Sequence, residues 1–208
     1  MRVSAALRWV GCGWAAAAAL SPCDTAARTP RSPRVAVETS AGRFTLELDS
    51  ERTPQTVANF LAYVRVGFYE GLIFHRVVRG TLIQGGGFTT RREPRPTRPP
   101  IANEAESALP NRRYTIGMAR GRDPSSATSQ FYINLRDNPD LDPRPGGSEG
   151  YCVFGRVLEG TAVVDSIGRS RTILRDGRWQ QPAEPVVILS ARVLDEDPAS
   201  ETSRRGSE

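Results

Sequence analysis

A chain of 208 residues has room for one globular domain with extensions, and its 38% hydrophobic and 25% charged content is ordinary for a soluble globular protein. The net charge of +5 comes from 28 basic residues, all of them arginine, scattered among acidic ones. The densest basic run, Arg91 to Arg98, has no aromatic residue. It lacks the stacking surface of a single-strand binder, so no nucleic-acid partner is expected.

The first 27 residues read as an export signal. Arg2 and Arg8 precede a weakly apolar stretch, Trp9 to Leu20, that ends in alanines. That is the basic, apolar, small-residue layout of a secretory leader. The stretch is about 12 residues, short of the roughly 20 that span a bilayer. Thr25-Ala26-Ala27 offers small residues for cleavage. Leu20-Ser21-Pro22-Cys23 resembles a lipoprotein box, with Pro22 a poor fit before the cysteine. A soluble periplasmic product and a membrane tether through a lipidated Cys23 both stay open. Residues 28–34 read as a linker, and residues 195–208 as a disordered tail with almost nothing to bury.

Between them, 35–194 has the pattern of a folded domain. Val35 to Thr39 and Arg43 to Leu48 alternate with a period of two around Ser40-Ala41-Gly42, which predicts a hairpin. Thr53 is the expected cap of a helix with Pro54 at its first position. Val57, Phe60, Leu61 and Val64 form its buried stripe, and Gly67 stops it. Strands are predicted at 72–78, 81–86, 114–119, 130–135 and 151–158. A short helix follows at 160–167, and a last strand at 185–194. Cys152, alone in this part, is expected to fill a core strand. Many strands and two helices suggest a barrel or a sandwich with helical plugs.

Alternation places Phe74, Arg76 and Val78 on one face and Ile73, His75 and Val77 on the other. Leu82 shares a face with Gln84, and Gln130 with Tyr132. One guanidinium and two amides thereby converge, with no obvious acid, base or nucleophile among them. His75 is the only histidine, so no histidine-based metal cluster is expected. No Gly-x-Ser-x-Gly elbow is present, and Gly85-Gly86-Gly87 lacks the lysine of a phosphate loop. The glycines are expected to allow close backbone approach at a bend.

Four strings carry a family resemblance: Phe74-His75-Arg76-Val77, Ile83-Gln84-Gly85-Gly86-Gly87-Phe88, Ser129-Gln130-Phe131-Tyr132-Ile133 and Tyr151-Cys152-Val153-Phe154-Gly155. Together with Asn103-Glu104-Ala105 and Gly117-Met118-Ala119-Arg120, they resemble the bacterial branch of the cyclophilin-type peptidyl-prolyl cis/trans isomerases, from about Val35 to Val193. The resemblance implies a closed eight-stranded antiparallel β-barrel capped by two α-helices, no cofactor, and a monomer acting on proline-containing polypeptides. It assigns catalysis to Arg76 and Gln84. It assigns substrate binding to Leu82, Ala119, Arg120, Gln130, Tyr132, Leu141 and Tyr151.

The pocket departs from the family pattern. Thr81 and Asp140 stand where aromatic residues are common, Tyr132 replaces a phenylalanine, and Tyr151 stands where many members have histidine. Two functions follow from the resemblance. One is an isomerase assisting the folding of exported proteins. The other is a proline-peptide or protein-binding module with weak or no turnover.

Overall fold

The computed structural model describes residues 32–175 and 179–194. The leader at 1–27, Cys23, most of the 28–34 linker and the 195–208 tail lie outside the described residues. The chain opens with β1 (Arg34–Thr39) and β2 (Gly42–Leu48), followed by α1 (Pro54–Arg65). Then come β3 (Arg76–Val78), β4 (Leu82–Gly85), β5 (Thr115–Met118) and β6 (Phe131–Asn134). A 3-10 turn at Pro139–Leu141 leads to β7 (Val153–Glu159) and α2 (Thr161–Gly168). Last are β8 (Thr172–Arg175), β9 (Trp179–Pro182) and β10 (Ile188–Val193).

Eight strands form one antiparallel sheet in the order β10-β1-β2-β7-β5-β6-β4-β3. The expected closed barrel is corrected here to an open half-barrel, because β10 and β3 remain the two edges of the ladder. The two edges meet only where the approach to β3 touches the start of β10. Phe74 N donates to Val186 O at 3.0 Å, and Ile188 N donates to Leu72 O at 2.8 Å. The chain at 72–75 is too irregular there to prolong β3, so the predicted strand at 72–78 shrinks to three residues. Strands β8 and β9 pair antiparallel as a separate two-stranded sheet that the sequence pattern did not reveal.

The concave face is filled by α1. Val57, Phe60, Leu61 and Val64 are buried as their spacing predicts. The Phe60 ring lies 5.3 Å from Tyr69, 5.9 Å from Phe131 and 5.2 Å from Phe154, fixing the helix in the curl of the sheet. Val164 and Ile167 of α2 join the same core, with Val163 packed against it. Cys152 is buried beside the Thr56 hydroxyl at 3.5 Å, and burial pushes its thiol up to about 11.

Helix α1 is capped from elsewhere in the chain. The Thr53 hydroxyl makes no cap bond and donates instead to Asp49 O at 2.8 Å. The open N–H groups of the first turn go to the Glu104 carboxylate: Gln55 N at 3.1 Å and Thr56 N at 2.8 Å. The Thr56 hydroxyl adds a bond to the same carboxylate at 2.7 Å. A negative group at a helix N-terminus is favoured by both the unpaired donors and the helix dipole. Arg95, in the basic run, is likewise structural. Its guanidinium donates to Phe68 O at 2.6 Å and Glu70 O at 2.9 Å, closing the turn after α1.

Glu104→Ala should therefore lower stability by about 2–3 kcal/mol, the scale of charge-assisted bonds lost at a helix end. Urea unfolding checks this. A loss below about 0.5 kcal/mol, the ordinary surface range, would remove Glu104 as the cap.

Candidate active site

Strand register builds the site. Arg76 pairs with Gln84 across β3 and β4, Gln84 with Tyr132 across β4 and β6, and Tyr132 with Gly117 across β6 and β5. These four form one transverse row on the outer, convex face. The adjacent row, Val77, Ile83, Ile133 and Ile116, points the opposite way and is fully buried in the core. Period-two alternation thus puts the polar row outside because the apolar row must be inside.

Within the outer row the side chains are bonded in series. Arg76 Nη1 donates to Gln84 Oε1 at 3.1 Å, and Gln84 Nε2 donates to Gln130 Oε1 at 3.0 Å. This orients the Gln84 amide and leaves most of the guanidinium fork facing outward. Gln130 is tied onward through its backbone, whose carbonyl accepts from Ala119 N at 2.9 Å.

The other expected residues form a second group beside the first. The Tyr132 and Tyr151 rings meet edge to face with centroids 6.1 Å apart. The Arg120 guanidinium lies 4.6 Å over the Tyr151 ring, and its Nε donates to Gly150 O at 2.9 Å. Tyr151 N donates to Leu141 O at 2.9 Å. Leu82, two residues before Gln84, lies on the same face and is nearly buried. A groove of about 600 Å³ opens beyond Arg120 and Tyr151, and does not reach Arg76.

Alternation misplaces His75. Phe74 and Val77 both face the core, three residues apart, so the phase slips before β3 begins. His75 therefore lies beside the site: its ring is 4.8 Å from Phe88, within reach of the Gln130 side chain and in the field of Arg76. Burial lowers its pKa from 6.5 to about 4, with the Arg76 charge acting in the same direction.

The glycines are set by neighbouring side chains. A Cβ on Gly87 would stand 2.7 Å from the Gln130 side chain, and one on Gly117 would stand 2.2 Å from the end of the Tyr132 ring. The departures from the family pattern are also visible. Asp140 points to solvent and pairs with Arg144. The extra hydroxyl of Tyr132 donates to Asn111 Oδ1 at 2.6 Å. Asn111, Asn134 and Asn138, all buried behind this group, were not singled out from the sequence. Turn-rich composition hides them, because Asn is common in loops for local reasons.

Fold and site together match known proteins. Residues 34–193 match the family model described as cyclophilin type peptidyl-prolyl cis-trans isomerase/CLD. A peptidyl-prolyl cis-trans isomerase of Streptomyces antibioticus is 52% identical over 163 residues, covering 77% of this chain and 98% of that protein. Peptidyl-prolyl cis-trans isomerase B of Escherichia coli K12 is 44% identical, covering 77% of this chain and 99% of its own length. Among solved structures, a cyclophilin from Hirschia baltica superposes with a TM-score of 0.64 at 24% identity, covering 82% of this chain and 77% of that one. The chain belongs to the cyclophilin-type peptidyl-prolyl cis-trans isomerases.

His75 gives a signed pH prediction. The unfolded chain takes up a proton near pH 6.5, whereas the folded protein resists until about 4. Stability should fall as pH drops through that window, by up to about 3 kcal/mol, and stay unaffected by this group above it. Unfolding measured from pH 7 to 4 should show a shallower slope for His75→Gln than for the unsubstituted protein. Equal slopes would contradict the assignment. Turnover should stay flat from about pH 6 to 8, since neither a guanidinium nor an amide titrates there.

Proposed function

We propose that this chain catalyses prolyl cis/trans isomerisation in exported polypeptides by stabilising the twisted amide electrostatically. Rotation about a peptide bond is resisted by about 18–20 kcal/mol because its C–N bond has partial double-bond character. Before proline both isomers are populated, so the barrier limits exchange. As the bond twists, the prolyl nitrogen becomes pyramidal and its lone pair localises. A donor aimed at that lone pair favours the twisted state over either planar one. Arg76 is that donor in this reading, and Gln84 holds the substrate carbonyl. Leu82, Tyr132 and Leu141 take the proline ring. The backbone at Ala119 and Arg120, with Gln130 and Tyr151, takes the flanking chain.

The observation that carries the reading is the bonded series from Arg76 through Gln84 to Gln130. It fixes a permanent charge and an amide at one end of an apolar group, with no nucleophile between them. A fixed donor suits a pyramidalising nitrogen, and the group offers no nucleophile for hydrolysis. The second reading, a binder with little turnover, is favoured by Asp140, which turns to solvent where an aromatic wall would stand.

Exchange measurements on an Ala-Pro peptide test both. Arg76→Ala should slow isomerisation by at least about tenfold, or 1.4 kcal/mol of barrier, with little change in thermal stability. Turnover equal to the unsubstituted protein would take Arg76 out of the mechanism. Peptide binding without any exchange by the unsubstituted protein would favour the binder.

The reading of exported polypeptides as substrates rests on the leader. Residues 1–34 fused to a reporter should carry it out of a bacterial cytoplasm, and Cys23→Ala should release it from the membrane if that cysteine is lipidated. A reporter retained in the cytoplasm would end the export reading.

A further inference from the structure

The Asn111 amide has every hydrogen-bonding position filled. Its Oδ1 accepts from the Tyr132 hydroxyl at 2.6 Å and from Asn134 Nδ2 at 3.1 Å. Its Nδ2 donates to Asp142 Oδ1 at 2.9 Å and to Tyr151 O at 3.4 Å. Its backbone is held too: Asn111 N donates to the same Asp142 oxygen at 2.7 Å, and Asn138 N donates to Asn111 O at 2.7 Å. An amide has two donors and two acceptor sites, so this one is saturated.

The partners belong to separate pieces of chain. Tyr132 lies on β6, Asp142 directly follows Leu141, and Tyr151 precedes β7. Asn138 extends the connection: its side-chain amide donates to Thr81 O at 3.0 Å, and its backbone carbonyl accepts from Leu141 N at 2.9 Å. Two proposed walls of the prolyl pocket, Tyr132 directly and Leu141 through its neighbour Asp142, and the Tyr151 backbone beside them, are thus tied to one buried side chain, which is only 2% exposed. The pocket floor needs such a tether. The Tyr132 ring lies tight over Gly117, where a Cβ would stand 2.2 Å from its end, so a small tilt of the ring is a clash or a gap. The hydroxyl bond to Asn111 fixes the direction of the ring within that tight packing.

We propose that Asn111 is the positioning residue of the prolyl pocket, holding Tyr132 through its hydroxyl and the Leu141 wall through Asp142. The inference rests on the reading of Tyr132 and Leu141 as pocket walls. Asn111 itself touches no substrate. The walls contact the proline ring equally in the planar and twisted states, so loosening them should weaken binding without slowing the bound peptide's rotation.

Exchange NMR on an Ala-Pro peptide reports Kd and the exchange rate at saturation separately. Asn111→Ala should raise Kd at least fivefold and leave the saturated rate within twofold. Tyr132→Phe, which keeps the packing and removes only the hydroxyl, should raise Kd about threefold. The double variant should bind no more than twofold worse than Asn111→Ala alone, because both cut the same link. Fully multiplicative effects of Asn111→Ala and Tyr132→Phe would overturn the proposal. If Asn111→Ala does not fold, Tyr132→Phe decides alone, and a Kd that it leaves unchanged would overturn the proposal. If the unsubstituted protein binds the peptide without exchanging it, the catalytic reading fails, while the Kd comparisons still judge Asn111.

Discussion

The organising constraint is the register of β3, β4, β6 and β5. It sets two rows of side chains back to back: Val77, Ile83, Ile133 and Ile116 in the core, and Arg76, Gln84, Tyr132 and Gly117 on the opposite face, where only Arg76 and Gln84 are part-exposed. A slip of one residue in any pair would exchange the rows, burying a guanidinium and exposing isoleucine. The cost of burying an unpaired charge makes that slip prohibitive. The apolar core therefore positions the polar site, although no core residue takes part in its chemistry. Phe60 reinforces the arrangement from the concave side, where its ring meets Phe131 between Gln130 and Tyr132 in sequence.

Much of this was legible in the residues. Alternation located the hairpin of β1 and β2, the helix faces, and the shared faces of Leu82 with Gln84 and of Gln130 with Tyr132. The illegible parts share a physical cause: each depends on a partner distant in sequence. Thr53 has the chemistry of a cap, yet Glu104 takes the role because its carboxylate reaches two N–H groups at once. The face of His75 was misread because alternation assumes a continuous strand, and the chain at 72–75 instead bonds sideways to the approach of β10. The eight strands of the main sheet were counted correctly but not its closure, since a pattern of alternating residues does not say whether the two edges of a sheet meet, and the short β8–β9 pair was missed.

The polar groups of the site differ in how far the protein has already satisfied them. Asn111 is saturated. Gln84 and Gln130 are joined to each other and hold a fixed direction, while Arg76 gives one bond to Gln84 and keeps donors in reserve. Arg120 is fastened to Gly150 O and stacked on Tyr151, so its charge serves the shape of the wall. Rigidity is thus greatest behind the pocket and least at the one group expected to meet the reacting nitrogen. A preorganised frame with a free donor is the form that electrostatic catalysis takes when no proton is transferred.

The pairing of β1 with β10 has a consequence for how the molecule is made. Val35 lies opposite Val193, so the first and last described strands are neighbours. Every strand of the site, from Arg76 to Asn134, has been synthesised well before β10. The site's own pairings connect nearer parts of the chain than that final one. Long-range pairing is the slow step in β-rich folding because the entropy of loop closure must be met first. On the ribosome, the rows that carry Arg76 and Gln84 are therefore available to pair while the far edge is still missing. Until β10 arrives, β1 presents an open strand edge with unpaired N–H and C=O groups, the feature through which sheets join other chains. The interval between completing the site and covering that edge is when this protein is most exposed to aggregation.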